Sequence, residues 1–450
     1  MPTSRYELSR LFRLAWPIVG AQVGNMLMGM VDMLFVGRVG VDALAAASLG
    51  NAFLYGTLLV GQGLVLGMDP LVTQAHGASD GRAVGIALQR GLVVSVFVTL
   101  AVSAVLLFTA PILVLLGQEP ALAQKAGRYI GVQVPTIGAF FGYLALRSYL
   151  QGRAIVRPAL IVMIAANVAN VLFNWIFVFG HLGAPALGLL GSGLATALSR
   201  LVLISGLAGL VWKADLLRGA WTPWSRAAFE GPALRHIIGL GLPIALQMGL
   251  EVWAFSAATL LAGRLGASAV AAHTIVLNLA SFSFMMPLGV AQAACTRVGN
   301  LVGANRFAEA DRAAWVAIGL GAAVMACWAL LFVTLRGLLP RLYTPDAAVI
   351  SLAAGILPIA GAFQIFDGVQ VVASGVLRGM SNTRPAALLN FTGYWLVALP
   401  LAAFLTVRTS TGLEGIWWSL CLGLFLVAAG LVLFVRARGP HHLGSAVPAR

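Results

Sequence analysis

Twelve long, almost uninterrupted apolar runs occupy nearly the whole chain, and they limit its fold more than any other feature. Each run has at least the roughly 20 residues that a helix needs to cross the hydrocarbon core of a bilayer. Strands of a membrane barrel would instead alternate in polarity over about ten residues. The pattern therefore predicts an all-α polytopic membrane protein, in which every backbone polar group is paired within its own helix.

Charged residues are scarce, which supports the same interpretation. They make up 9% of the 450 residues, whereas soluble globular proteins carry roughly 25%. This fraction is too small to cover a water-soluble body and excludes cytosolic enzymes, nucleic-acid binders and disordered chains. The bilayer is thus an expected partner and nucleic acid is not. The predicted spans are 12–37, 44–68, 84–116, 130–151, 159–180, 187–212, 236–262, 270–295, 313–339, 349–376, 386–407 and 412–435.

An internal repeat divides these spans into two sets of six. Pro17 aligns with Pro243 at an offset of about 226 residues, and Gly63 aligns with Gly289 at the same offset. The longest polar connection lies between the two sets. We therefore predict two pseudo-symmetric six-helix lobes, a parallel repeat typical of transporters that rock one half against the other. The predicted divisions are an N-terminal lobe at 1–212, a cytoplasmic linker at 213–235, a C-terminal lobe at 236–435 and a loose cytoplasmic tail at 436–450.

The net charge of +14 reflects topology, since the basic residues lie mostly between apolar runs. Of the 28 Lys and Arg residues, about 18 fall on the side that holds both termini and about 7 on the opposite side. The positive-inside rule then places both termini in the cytoplasm. We expect a multi-pass protein of a bacterial-type plasma (inner) membrane, and a monomer.

Three carboxylates lie deep within predicted spans, where a charge costs at least ~2.5–3.5 kcal/mol. They are Asp32 in the first span, Glu251 in the seventh and Asp367 in the tenth. None has a basic residue within one helical turn, so each is either protonated or paired with a cation. Each is therefore a candidate site for H⁺ or Na⁺. Glu251 and Asp367 belong to one predicted lobe and are expected to converge, which favours a shared proton or a bound cation.

Asn170 and Asn174 are four residues apart in the fifth span, so their side chains share one helix face. Their amide oxygens could complete an oxygen cage around a cation, or the amides could hydrogen-bond the Asp32 carboxyl. Ordinary hydrogen bonding between helices is the alternative.

Motifs for other chemistry are missing. Neither lysine follows a glycine, so there is no Walker A loop, and HExxH is absent. The three cysteines lie inside apolar runs and show no metal-binding spacing. We therefore expect no catalytic residues and no cofactor, and a membrane enzyme has little support. Paired halves with separate carboxylates also suit alternating access better than a continuous channel.

Several stretches together resemble MATE transporters (multidrug and toxic compound extrusion), in particular their NorM-type branch. The resemblance covers about residues 8–435. The stretches that carry it are 68–78, 170–177, 271–278, 287–289 and 297–303.

This resemblance implies export of lipophilic organic cations in exchange for H⁺ or Na⁺. It places Glu251 and Asp367 at the cation site of the C-terminal lobe, where Na⁺ is the candidate metal ion. Asp32, Asn170 and Asn174 match the proton or cation site of the N-terminal lobe. Phe363 is a departure, because a tyrosine four residues before Asp367 can help to hold Na⁺ in such proteins. Its absence weakens the case for Na⁺ over H⁺.

Aromatic and methionine side chains would supply adaptable apolar contacts to such substrates. The residues predicted to face the substrate cavity are Met28, Phe53, Phe284, Met285 and Phe366. The alternative function is a flippase or exporter of a metabolite or lipid-linked sugar in a related fold. That alternative predicts a more basic cavity, whereas the three central charges here are acidic.

Overall fold

The computed structural model describes residues 4–445, which are almost entirely helical and contain no strand. Twelve helices in this range are long and apolar enough to cross a membrane, so the predicted number is confirmed. Their bounds are Ser4–Gly37 (α1), Val41–Gly77 (α2), Gly81–Leu107 (α3), Pro120–Gly152 (α4), Arg157–Phe179 (α5), Leu189–Lys213 (α6), Gly231–Gly263 (α7), Ala267–Gly303 (α8), Phe307–Thr334 (α9), Ala347–Gly379 (α10), Arg384–Arg408 (α11) and Gly412–Arg438 (α12).

Some boundaries differ from the predicted spans. The third predicted span extends to residue 116, but α3 ends at Leu107 and a separate short helix follows at Thr109–Leu115. The predicted loose tail begins within α12 and continues into a short helix, Pro440–Ser445, while residues 446–450 lie outside the described residues. Apolarity marks a segment as buried in lipid or protein, but it does not mark where the backbone turns.

Local chemistry explains several helix ends. The Asp80 carboxylate accepts a hydrogen bond from the Ala83 amide (2.9 Å), which caps the start of α3. Asp346 caps α10 in the same way through the Ala348 amide (2.8 Å). Gly180 ends α5 in a left-handed conformation (φ 79°), which a glycine adopts without a steric penalty.

The helices form two compact units. The N-terminal unit comprises Gly20–His76 and Asp80–Ala245, and the C-terminal unit comprises the residues before Gly20, Gly77–Ser79 and those from Leu246 onward. In the N-terminal unit α5 packs on α6, and α4 packs on α2, α3 and α6. In the C-terminal unit α10 packs on α8, α9 and α12. The bounds of these units follow from contacts between residues, whereas the bounds of the predicted lobes follow from the sequence repeat. The two sets of bounds therefore differ.

Each unit contains a close helix crossing at a glycine, and the two crossings are related by the repeat. In the N-terminal unit, a Cβ added at Gly63 of α2 would lie 2.3 Å from the Cα of Ala245. In the C-terminal unit, a Cβ at Gly289 of α8 would lie 2.4 Å from Cγ2 of Val19. Both pairs of equivalent positions are separated by 226 residues along the chain, so the repeat preserves a packing contact as well as residue types.

The predicted linker packs against the N-terminal unit through backbone carbonyls. Gln89 donates to the Thr222 carbonyl (2.7 Å), and Tyr149 donates to that of Ala220 (2.9 Å). Arg90 donates to the Ala227 carbonyl (3.0 Å) and forms an ion pair with Glu230 (2.9 Å). These bonds satisfy polar groups that would otherwise lack partners next to apolar helices.

Candidate functional site: buried carboxylates in both units

In the N-terminal unit, Asp32 lies at the centre of a hydrogen-bonded cluster and is only 3% exposed. Its Oδ1 accepts from the Asn170 amide (3.0 Å) and from the Asn174 amide (2.7 Å), and its Oδ2 accepts from the Thr196 hydroxyl (2.5 Å). Three helices therefore meet at this carboxylate: α1, α5 and α6. The predicted alternative in which the asparagines hydrogen-bond Asp32 is the arrangement present.

The Asp32 carboxylate also has a basic neighbour. Arg200 lies one turn after Thr196 on α6, is 6% exposed and acts electrostatically on Asp32. It forms no direct ion pair with Asp32 within the described residues, and its Nη1 has no hydrogen-bond partner there. Its guanidinium lies 5.9 Å from the centre of the Phe140 ring. The cluster therefore contains a carboxylate with three side-chain hydrogen-bond donors and, farther away, a cation that forms no ion pair with it among the described residues.

In the C-terminal unit, Glu251 and Asp367 converge, as the sequence predicts. Asp367 is 4% exposed, and the Glu251 carboxylate acts on it electrostatically. Gln370, one turn after Asp367 on α10, donates its amide to Glu251 Oε1 (3.5 Å). No Lys, Arg or His nitrogen among the described residues lies within 4 Å of either carboxylate. Two acidic groups thus share a buried region without a counter-cation.

Aromatic rings surround this acidic pair. The Phe255 ring, one turn after Glu251, contacts the rings of Phe363 and Tyr394, each with centroids 5.9 Å apart. Phe363 in turn packs edge-on against Trp417 at 5.9 Å. The ring of Phe363, the position where the sequence lacks a tyrosine, is thus held in apolar packing. In the residues that the structure describes, no three His, Cys, Asp or Glu side chains gather into a group that could hold a metal ion.

The residues predicted to face the substrate cavity are distributed over both units. Met28 is buried, and Phe53 packs against a cluster formed by Leu113, Ala123 and Ala126. The Phe366 ring packs edge-on against Phe425, with centroids 5.2 Å apart. Phe284 and Met285 are half-buried. Their contact with a substrate stays a prediction.

Sequence reasoning missed three polar residues of these clusters, Thr196, Gln370 and Tyr394, and the first two carried a usable signal. Thr196 and Arg200 are four residues apart on α6 and share a face with each other. Gln370 is three residues after Asp367, which places both side chains on the same side of α10. Tyr394 lies in a run with no polar periodicity, so only the packing of α11 against α7 reveals it.

Comparison with known proteins identifies the family of the chain. The MatE family model matches residues 17–176 and 243–404, which together make up more than half of the chain. The chain belongs to the MatE family. The two matches begin 226 residues apart, the same offset as the sequence repeat, so the predicted family and the repeat of this MatE chain agree with each other.

Curated relatives match this MatE chain over almost its full length. It is 38% identical over 437 residues to a probable multidrug resistance protein NorM of Mesorhizobium japonicum, covering 95% of this chain and 93% of that protein. It is 32% identical to the multidrug resistance protein MdtK of Edwardsiella ictaluri, covering 96% and 95%.

Among solved structures, the eukaryotic MATE transporter AtDTX14 matches with a TM-score of 0.90 at 22% identity, covering 98% of each chain. An outward-facing multidrug resistance MATE transporter matches with a TM-score of 0.88 at 18% identity, covering 98% of this chain and 97% of that chain. At these identities the structural matches show the fold alone. They confirm the expected architecture of a multi-pass helical membrane protein.

Proposed function

We propose that this chain is a secondary active multidrug efflux antiporter that exports lipophilic organic cations in exchange for H⁺ or Na⁺. The observation that carries the proposal is the acidic pair of partly buried Glu251 and buried Asp367, neither of which forms an ion pair with a basic side chain among the described residues. Uncompensated negative charge in an apolar helical bundle is costly, and a bound cation removes that cost. The names of the NorM and MdtK relatives support multidrug substrates.

The two carboxylate clusters have different roles in this proposal. Glu251 and Asp367 bind the coupling ion, because their charges are not balanced within the C-terminal unit. Asp32 accepts hydrogen bonds from three side chains and also feels the nearby positive charge of Arg200. The amide oxygens of Asn170 and Asn174 have no hydrogen-bond partner among the described residues, so this cluster has groups for a proton on Asp32 or for a cation beside it.

Exchange follows from competition between the ion and the drug for negative charge. When the coupling ion neutralises the carboxylates, an organic cation loses its electrostatic attraction and is released outside. When the ion leaves towards the cytoplasm, the re-ionised site attracts another organic cation. Alternating access requires that each ligand bind one of the two conformations more tightly, since a ligand with equal affinity for both does not change the equilibrium between them.

The remaining predictions complete the proposal. The protein would reside as a monomer in a bacterial-type inner membrane, with both termini in the cytoplasm as the Lys and Arg distribution indicates. Labelling of Arg226→Cys in the linker by an impermeant maleimide on intact cells would contradict this orientation. Met28, Phe53, Phe284, Met285 and Phe366 remain the proposed apolar contacts of the substrate.

The coupling role is tested with purified protein in liposomes. Asp367→Asn and Asp32→Asn remove one carboxylate each while keeping the side-chain volume, and ethidium efflux driven by an imposed ΔpH or Na⁺ gradient should fall to background in both. Asp42→Asn is the matched control, because its carboxylate is exposed and forms an ion pair with Lys125 (2.9 Å) at the surface. Transport at the wild-type rate in both buried variants would reject ion coupling through these carboxylates.

A further inference from the structure

The linker at 213–235 is held against the N-terminal unit through its backbone. Besides the bonds to the carbonyls of Ala220, Thr222 and Ala227, the Arg153 guanidinium donates to the Leu216 carbonyl. The approach is close, because a Cβ added at Gly81 would clash with the carbonyl oxygen of Gly219. These contacts fix the path of the linker along the start of α3 and the end of α4.

The aromatic side chains of the linker form a cluster of their own, on the exposed surface. The rings of Trp221 and Trp224 pack edge-on with centroids 6.4 Å apart, and Trp224 stacks on Phe229 at 6.0 Å. These three side chains remain 39%, 50% and 62% exposed, respectively. Leaving so much apolar surface in water is costly, whereas tryptophan is enriched where a membrane meets water. Because the linker follows the ends of two spanning helices, the cluster lies at that boundary.

A cation lies on the same side of the linker as these rings. Residues Arg226–Phe229 form a 3₁₀ turn, in which side chains three residues apart eclipse, so the Arg226 side chain emerges beside Phe229. Arg226 is exposed and forms no ion pair among the described residues. The nearest acid along the chain, Glu230, is paired with Arg90 (2.9 Å). The guanidinium of Arg226 is therefore available to an external anion.

The combination of rings and a free guanidinium indicates the kind of ligand. Aromatic rings fit the headgroup layer of a bilayer, and a guanidinium forms charge-assisted, bidentate hydrogen bonds with a phosphate. The linker contains four basic and two acidic residues, so its net charge favours a lipid with net negative charge over a zwitterionic one. A protein partner would have to displace lipid headgroups from the same layer.

We propose that Trp221, Trp224 and Phe229 insert into the headgroup layer and that Arg226 binds the phosphate of an anionic phospholipid there. In the orientation proposed above, this lipid belongs to the cytoplasmic leaflet. The inference is independent of the antiport proposal, because the linker contains none of the buried carboxylates.

Quenching of Trp224 fluorescence by brominated lipids tests this site in the purified full-length protein in nanodiscs. Every disc contains equal amounts of phosphatidylglycerol and phosphatidylcholine, and only one of the two carries bromine on its chains, so the charge of the membrane is constant. Subtracting the signal of Trp224→Phe isolates Trp224 from the other tryptophans. In the wild type, brominated phosphatidylglycerol should quench the Trp224 signal more strongly than brominated phosphatidylcholine does.

Removal of the cation tests the role of Arg226. One arginine near an anionic surface accounts for about a fivefold preference, so Arg226→Gln should lower the ratio of phosphatidylglycerol to phosphatidylcholine quenching by up to about fivefold. Arg438→Gln is the matched control, because Arg438 is also exposed and without an ion pair among the described residues, but it belongs to α12 of the C-terminal unit. This control should keep the wild-type ratio. All of these substitutions change exposed side chains, which seldom affects folding.

Equal quenching by the two lipids in the wild type would overturn the inference, and so would a wild-type ratio in Arg226→Gln. A Trp224 signal that neither lipid quenches would also overturn it, because the rings would then face water or a protein partner.

Discussion

Among single residues, the presence or absence of a charge partner separates the buried acidic groups. Glu7 is fully buried, and Arg297 donates two hydrogen bonds to its carboxylate, from Nε to Oε2 (2.9 Å) and from Nη2 to Oε1 (2.8 Å). Asp32 has hydrogen-bond donors and a nearby guanidinium, whereas Glu251 and Asp367 have no cation. The negative charge of Glu7 is thus compensated by a side chain of the protein, whereas the charges of the proposed coupling pair are available to a mobile ion.

Replacing Arg297 tests the structural part of this contrast. Arg297→Gln leaves the buried Glu7 without its partner, and we expect a loss of about 3–5 kcal/mol in the free energy of unfolding. Arg306→Gln is the control, because Arg306 pairs with Glu309 at the surface (2.5 Å) and should cost less than about 1 kcal/mol. Denaturation of both variants in detergent measures the difference. Equal stability of the two variants would contradict a structural role for the Glu7–Arg297 pair.

The sequence predicted the buried carboxylates at the residue scale, because a charge in an apolar run is conspicuous. It also predicted that Asn170 and Asn174 share a face towards a common partner, since the helical period is fixed. It could not reveal Tyr394, because a tyrosine in an apolar run is unremarkable until a neighbouring helix is placed beside it.

At the scale of helices, small residues determine how closely the elements approach. In membranes, helix association depends on close packing rather than on the hydrophobic effect, and glycine allows the closest approach. Gly63 and Gly289 occupy equivalent positions of the repeat and touch Ala245 and Val19, which are also equivalent. Pro17 and Pro243 lie two residues before these contacts, inside α1 and α7.

Alanine substitution tests these crossings. In Gly63→Ala and Gly289→Ala, the added methyl group would lie closer than 3.0 Å to the facing helix, so the helices must separate. We expect a destabilisation of about 1–3 kcal/mol together with slower ethidium efflux. Gly319→Ala in α9 is the control, since a Cβ there meets nothing within 4 Å. Wild-type melting temperature and efflux in both crossing variants would show that the contacts are not tight.

Helix number and approximate position followed from hydropathy alone, because a span must be long and apolar. Hydropathy did not predict the π-helical turn at Phe391–Ala398, since the sequence of this segment does not distinguish it from an α-helix. The break after Leu107 was missed because hydropathy stays high through residue 116, although Pro111 marked a helix boundary close to it.

At the scale of the whole molecule, the repeat determines the architecture while the chemistry of the two halves differs. The family model matches both halves with the same offset as the repeated glycine contacts. The buried acids do not follow that repeat: Asp32 has no acidic equivalent at position 258, and Glu251 has none at position 25. A duplicated scaffold with unequal charge clusters allows one half to respond to the ion differently from the other.

The most direct test of the central claim is obligatory exchange by the wild-type protein. An outward gradient of a lipophilic cation such as tetraphenylphosphonium, imposed on sealed liposomes that contain the purified protein, should drive Na⁺ or H⁺ inward against its own gradient. Asp367→Asn should abolish this movement. Efflux of the organic cation with no opposing flux of either ion would contradict antiport.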